Sequence, residues 1–132
     1  MIKLLNILQE ITVGPNSTYQ EVFDYIRNGS QGDLHLSRTN IKKLPNDLKV
    51  GGSLWLEHTP IQALPKGLKV GRILWARDSQ IEFIPNDLEV EQHLYLVNTP
   101  IEKRLRERYS RKYARVKLKK MFPGVKGNIL IQ

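Results

Sequence analysis

From residue 32 onward the apolar positions of this chain recur in a fixed frame of 20 residues. Residues 32–51 read GDLHLSRTNIKKLPNDLKVG, residues 52–71 read GSLWLEHTPIQALPKGLKVG, and residues 72–91 read RILWARDSQIEFIPNDLEVE. A fourth block, 92–111, opens QHLYLVNTPIEK and then leaves the pattern. The shared frame is L-x-L-x-x-T-x-I-x-x-L-P-x-x-L-x-V. Its leading L-x-L alternates with period two, as a strand with one buried face does. The proline that follows forbids a long helix in the second half of each block. One block cannot bury its own apolar side, but stacked blocks can. The frame therefore predicts a solenoid. Leu34, Leu54, Leu74 and Leu94 become one ridge of its core and Ile41, Ile61, Ile81 and Ile101 another. Its strands run parallel, about 4.8 Å apart.

The end rungs of such a coil need covers. The N-terminal residues predict two short helices, near 2–10 and 19–28. Thr18 and Glu21 stand at capping-box spacing, and Gly29 marks a stop. At the other end, Thr99, Pro100 and Glu102 supply an N-cap, a proline at N1 and a glutamate at N3. Ile101, Leu105, Tyr109 and Tyr113 then recur every four residues as a helical stripe, and Ser110 opens a second helix that ends before Phe122. Gly127-Asn-Ile-Leu-Ile131 repeats the pattern of Gly52-Ser-Leu-Trp-Leu56 and predicts a fifth strand after a helical insertion. The whole reads as a single domain over 1–132: an N-terminal helical cap to 31, repeats over 32–100, a helical segment over 101–126 and a final strand over 127–132. In the third rung Ala76 replaces a leucine and Phe83 takes a position that is otherwise polar. That pairing predicts local repacking, with Phe83 filling the space.

Here the repeat resembles a known class. The I-x-x-L-P-x-x-L stretch and the 20-residue period are similar to the shortest bacterial leucine-rich repeats, and closer still to short repeat proteins of phage and environmental sequences. The resemblance covers about 32–101 and implies a right-handed α/β coil with a parallel sheet of about five short strands, capped by helices; the class it points to has no assigned function. It departs in one column: Thr39, Thr59, Ser79 and Thr99 stand where that class often has Asn. A hydroxyl still bonds backbone groups at a turn.

Composition narrows the function classes. The chain contains no cysteine, which excludes a disulfide framework and a thiolate metal site. The first ten residues carry charges within their apolar run and read as an amphipathic helix rather than a signal peptide. No apolar run reaches the roughly 18 residues of a membrane span. A cytoplasmic protein is the expectation. The net charge of +8 is concentrated. Residues 101–126 hold eleven Lys or Arg against two Glu, while all other positions together hold ten basic and eleven acidic residues.

Register across the rungs nominates two surfaces. His35, Trp55, Trp75 and Tyr95, followed by Leu130, share the outward position between the two leucines. Exposed aromatics in a row favour a protein interface, with Glu57 and Arg77 in the next column setting polarity. Rings that stack on one another for stability alone are the competing expectation. The second surface is Lys103, Arg104, Arg106, Arg108, Arg111, Lys112, Arg115, Lys117, Lys119 and Lys120. A basic helical face of this kind attracts nucleic-acid phosphate. Protein binding on the aromatic face is the leading expectation and nucleic acid the alternative. The Ile129-Leu130-Ile131 edge also suggests a homodimer. His58 and Asp78 should be neighbours, yet no nucleophile accompanies them. His35, His58 and His93 fall at three different repeat offsets, without zinc-site spacing. No phosphate-binding glycine loop follows a strand. Neither an enzyme nor a cofactor is expected.

Overall fold

The computed structural model describes residues 17–132. In chain order its elements are helix α1 (Ser17–Arg27) and strands β1 (Leu34–His35), β2 (Lys49–Val50), β3 (Leu54–Trp55), β4 (Lys69–Val70), β5 (Leu74–Trp75), β6 (Glu89–Val90) and β7 (Leu94–Tyr95). Helices α2 (Pro100–Arg108) and α3 (Arg111–Met121) and strand β8 (Ile129–Leu130) follow. The strands stack as a parallel β-solenoid. The L-x-L positions build a five-stranded sheet in the order β1-β3-β5-β7-β8. Its register pairs Leu34 with Leu54, Leu54 with Leu74, Leu74 with Leu94 and Leu94 with Ile129. A second sheet, β2-β4-β6, lies at the Leu-x-Val positions. It pairs Val50 with Val70 and Val70 with Val90, and a bridge carries the column on to Val125. Period-two alternation across Leu48-Lys-Val50 is the signal for this sheet, and the looser spacing before it hides that signal.

Inside the coil the apolar columns run unbroken. Leu36, Leu56 and Leu96, Ile41, Ile61 and Ile81, and Leu48 and Leu68 are all fully excluded from water. Each strand ends in a turn that the hydroxyl column closes. Thr39, Thr59, Ser79 and Thr99 donate to the carbonyls of Leu36, Leu56, Ala76 and Leu96 at 2.5, 2.7, 2.7 and 2.8 Å. The residues just before them, Arg38, His58, Asp78 and Asn98, are left-handed, with φ between +55° and +61°. That conformation costs a non-glycine residue roughly 1–2 kcal/mol, and the hydroxyl bond repeated in every rung holds it in place.

The final strand returns as the Gly127–Ile131 pattern predicts, but after a longer interval. Val125 bridges to Val90 and Ile129 pairs with Leu94, a separation of 35 residues that the Asn128–His93 bond shares. Helices α2 and α3 lie in this interval, in place of the second half of a 20-residue rung. Re-entry brings backbones so close that only glycine fits. A Cβ on Gly124 would lie 2.1 Å from the Leu88 carbonyl oxygen, and one on Gly127 would lie 2.2 Å from that of Gln92.

Helix α1 covers the first rung through Val22, with Tyr19, Tyr25 and Ile26 packed beside it. The helix is described from Ser17 onward, and the capping side chain expected at Thr18 falls outside what the structure describes. The helix expected near 2–10 falls outside the described residues. The Tyr25 hydroxyl donates to the Gly32 carbonyl at 2.8 Å and accepts from the Gly51 amide at 3.1 Å, tying the cap to both ends of the first block. Tyr25→Phe is expected to cost about 1 kcal/mol in urea unfolding. Burial raises the phenol above its ordinary value of 10.0. Its contribution is therefore complete below pH 10.0 and declines as pH rises through the raised folded-state value. A Phe variant as stable as the parent at neutral pH would contradict this role.

At the C-terminal end the expected cap is present. Thr99 accepts from the Glu102 amide, Pro100 is at N1, and Ser110 caps α3. The four-residue stripe is not continuous, however. Tyr109 is extended and ends α2, so the buried face of α3 shifts to Ala114 and Leu118, with Phe122 buried just beyond, and Tyr113 is 55% exposed. Phe83 fills no space in the core. It bridges to Ala63 by backbone and leaves its ring 59% exposed, while Ala76 is buried without it.

Candidate functional site

Register alone brings the outward aromatics into line, and strand spacing then presses them together. His35 and Trp55 stack with ring centroids 5.3 Å apart, Trp55 and Trp75 at 4.8 Å, and Trp75 and Tyr95 at 4.2 Å, with interplanar angles between 13° and 19°. Leu130 continues the column. Each stacked pair contributes about 0.5–1.5 kcal/mol beyond its burial. The faces of Trp55 and Trp75 are taken up by their neighbours, and both indole Nε1 atoms are buried with no hydrogen-bond partner. Trp55, Trp75 and Tyr95 are half-buried, whereas the His35 side chain is 66% exposed. The stripe is thus a cohesive stack whose edges, rather than faces, meet water.

Beside it, Glu57 and Arg77 do not form the expected pair. Asp78 gathers its neighbours instead: Arg77 Nε at 3.4 Å, His58 Nε2 at 3.3 Å and Asn98 Nδ2 at 2.6 Å. His58 and Asp78 are therefore adjacent, as their register predicts. The nearby Ser79 hydroxyl is buried and committed to the Ala76 carbonyl, which removes it as a nucleophile. Among the described residues, no three His, Cys, Asp or Glu side chains are grouped to hold a metal ion.

The second surface has a different electrostatic character. All ten basic side chains from Lys103 to Lys120 are exposed. Among the described residues, none of them lies within ion-pair distance of a carboxylate. Elsewhere charges pair between rungs, as in Lys69 with Glu89 at 3.4 Å and Lys126 with Glu91 at 2.8 Å. In the helical segment Arg104 donates to the carbonyl of Glu82 and Lys119 to those of Val125 and Gly127, while Arg106 meets the main-chain oxygen of Gln132. Carbonyls orient a cation without cancelling its charge. Arg111 and Arg115, and Arg115 and Lys119, repel at i,i+4 spacing, at a cost of a few tenths of a kcal/mol per pair.

Two features of this end were not anticipated from sequence. Glu102 is buried, and its carboxylate accepts from the Asn98 and Gln132 amides, so α2 anchors the chain after β8. Among the described residues, the large apolar side chains left exposed are Phe83, Tyr113, Val116 and Met121, three of them on α3. Among the described residues, no helix is long and apolar enough to cross a membrane. Comparison with family models, with curated proteins and with solved structures finds no match to this chain.

Proposed function

We propose that the chain is a non-enzymatic binding protein of leucine-rich-repeat type that takes nucleic acid on the face formed by α2 and α3. The observation that carries this reading is the set of ten exposed cations without a carboxylate partner. An uncompensated basic face gains from displacing counterions off a phosphate backbone, a gain independent of sequence. The leucine-rich-repeat assignment rests on the 20-residue frame, the parallel ladder of L-x-L strands and the hydroxyl column that closes each turn.

The test is anisotropy of a labelled oligonucleotide titrated at several KCl concentrations. With about six phosphate contacts, the binding constant should fall roughly a thousand-fold between 50 and 200 mM salt. A variant carrying Arg108→Glu, Arg111→Glu, Lys112→Glu and Arg115→Glu should bind at least about a hundred-fold more weakly at the lower salt. These four side chains are exposed, so the variant should fold. Salt-independent binding, or equal binding by the variant, would remove the proposal.

A second reading keeps a protein partner on the sheet face. The edges of the ring stack and the exposed His35 favour it. A partner whose affinity survives both Glu57→Lys and Arg77→Glu would count against it.

A further inference from the structure

We infer that the nucleic acid bound at this face is single-stranded, and that unstacked bases seat on Tyr113 and Phe83. The inference rests on the proposed function and names its substrate class. It begins from where the exposed apolar side chains lie. Tyr113 and Val116 stand on the side of α3 turned from buried Ala114 and Leu118, and Met121 lies at the margin of that buried face in the last turn. At 100° per residue they fall on one arc, together with Lys117 and Lys120. Phe83 belongs to a different part of the chain, the second half of the third rung, yet it lines the same groove as Lys120 and Met121, with Lys66 also in that groove.

The result is a strip in which apolar side chains flank a pair of cations. From Tyr113 to Met121 it runs about 12 Å along the helix, enough for about three bases at the stacked spacing of 3.4 Å. Tyr113 is held at one end by Tyr109, whose ring lies 5.0 Å away at an angle of 40°. Tyr109 is itself packed on the core and has Lys117 above its ring at 5.9 Å. One ring is therefore braced from beneath while its outer side remains 55% exposed. Phe83, at 59% exposure, offers a second ring beyond the far end of the strip.

A duplex satisfies only the cations, because its base faces are already stacked within it. A single strand presents phosphates and flat apolar faces together, which is the combination that basic grooves with interleaved aromatics recognise. The charge explains attraction to any nucleic acid, and the exposed rings explain a preference between the two forms.

The experiment compares labelled single strands of about 12 nucleotides, within the range such sites cover, with the duplex of the same sequence. It uses the full chain, the double variant Phe83→Ala with Tyr113→Ala, and a Tyr113→Phe control. Both altered rings are exposed, so folding should persist, as circular dichroism would verify. The expected result is tighter binding of the single strand and a roughly ten-fold or greater loss per ring in the alanine variant. Duplex affinity should be unchanged, and Tyr113→Phe should bind as the parent does. Equal affinity for both forms, or no effect of removing the rings, would overturn the single-strand inference and leave the basic-face proposal standing. Failure of both forms to bind at low salt would overturn both proposals. Binding confined to vesicles containing phosphatidylserine, lost on Val116→Asp and Met121→Asp, would also overturn both, in favour of a lipid surface.

Discussion

Leu56→Ala is expected to remove about 3–5 kcal/mol of stability, read as a lower urea midpoint at unchanged m-value. Leu56 is fully buried, so the transfer cost of its three lost carbons applies in full. The cavity term should also be near its maximum, because the site cannot close around the gap. The next residue in the same column is already Ala76, and the substitution would put two alanines side by side. Rung spacing is set by the backbone, through Leu36 N donating to Trp55 O at 2.9 Å and Leu56 N donating to Trp75 O at 2.8 Å. A solenoid tied in this way has little freedom to collapse inward. Against a total of about 5–15 kcal/mol for a domain, the loss would leave the chain marginally folded. Phe83→Ala removes a larger side chain but an exposed one, and should change stability by no more than about 0.5 kcal/mol. Similar losses from the two would contradict the packing described above.

Glu102→Ala should cost about 2–4 kcal/mol, and the loss should be uneven along the coil. The carboxylate is buried and accepts from Asn98 at the start of α2 and from Gln132 after β8. Each hydrogen bond to a charged group contributes about 1.5–3 kcal/mol, and alanine leaves both amides without a partner. The strand most affected is β8, whose neighbours across the ladder are the Leu94 and Leu96 amides, donating to Asn128 and Leu130. Native-state hydrogen exchange should therefore speed up at Leu94 and Leu96 while Leu34 and Leu54, at the other end, keep their protection. Uniform acceleration at all four would mean that Glu102 supports global stability rather than the final strand.

The parts of this fold legible in the sequence are those that the repeat writes several times. Leu34, Leu54, Leu74 and Leu94 predict each other's environment, and Ile129 joins them because Gly127–Ile131 copies the same frame. What occurs once, or depends on direction, was not legible. Alternation places Trp55 and Trp75 on the outer face, but it does not reveal that their rings close onto one another at 4.8 Å. The frame marks Phe83 as unusual without saying which way its ring turns. Glu102 meets Gln132 across 30 residues with no periodic relation between them, so no pattern announces the contact. Period four carried the Ile101–Tyr113 stripe through Tyr109, where extended backbone separates two helices and resets the buried face. The basic character of the C-terminal segment was plain from composition. Its lack of carboxylate partners is a property of the folded arrangement, and that property moves the balance from the ring stack to the helices.

The re-entry of β8 in register with β7 has an architectural consequence. Both ends of the coil attach to a rung of the same shape, α1 to the first and the α2–α3 insertion to the last. Loss or duplication of one 20-residue unit would thus shift one terminus along the axis by a single strand spacing and leave both attachments as they are. The distance between the N-terminal cap and the cationic face is then an adjustable dimension, set in steps of about 4.8 Å by copy number. A lineage can lengthen or shorten such a molecule as it would a ruler, without redesigning what is mounted at either end.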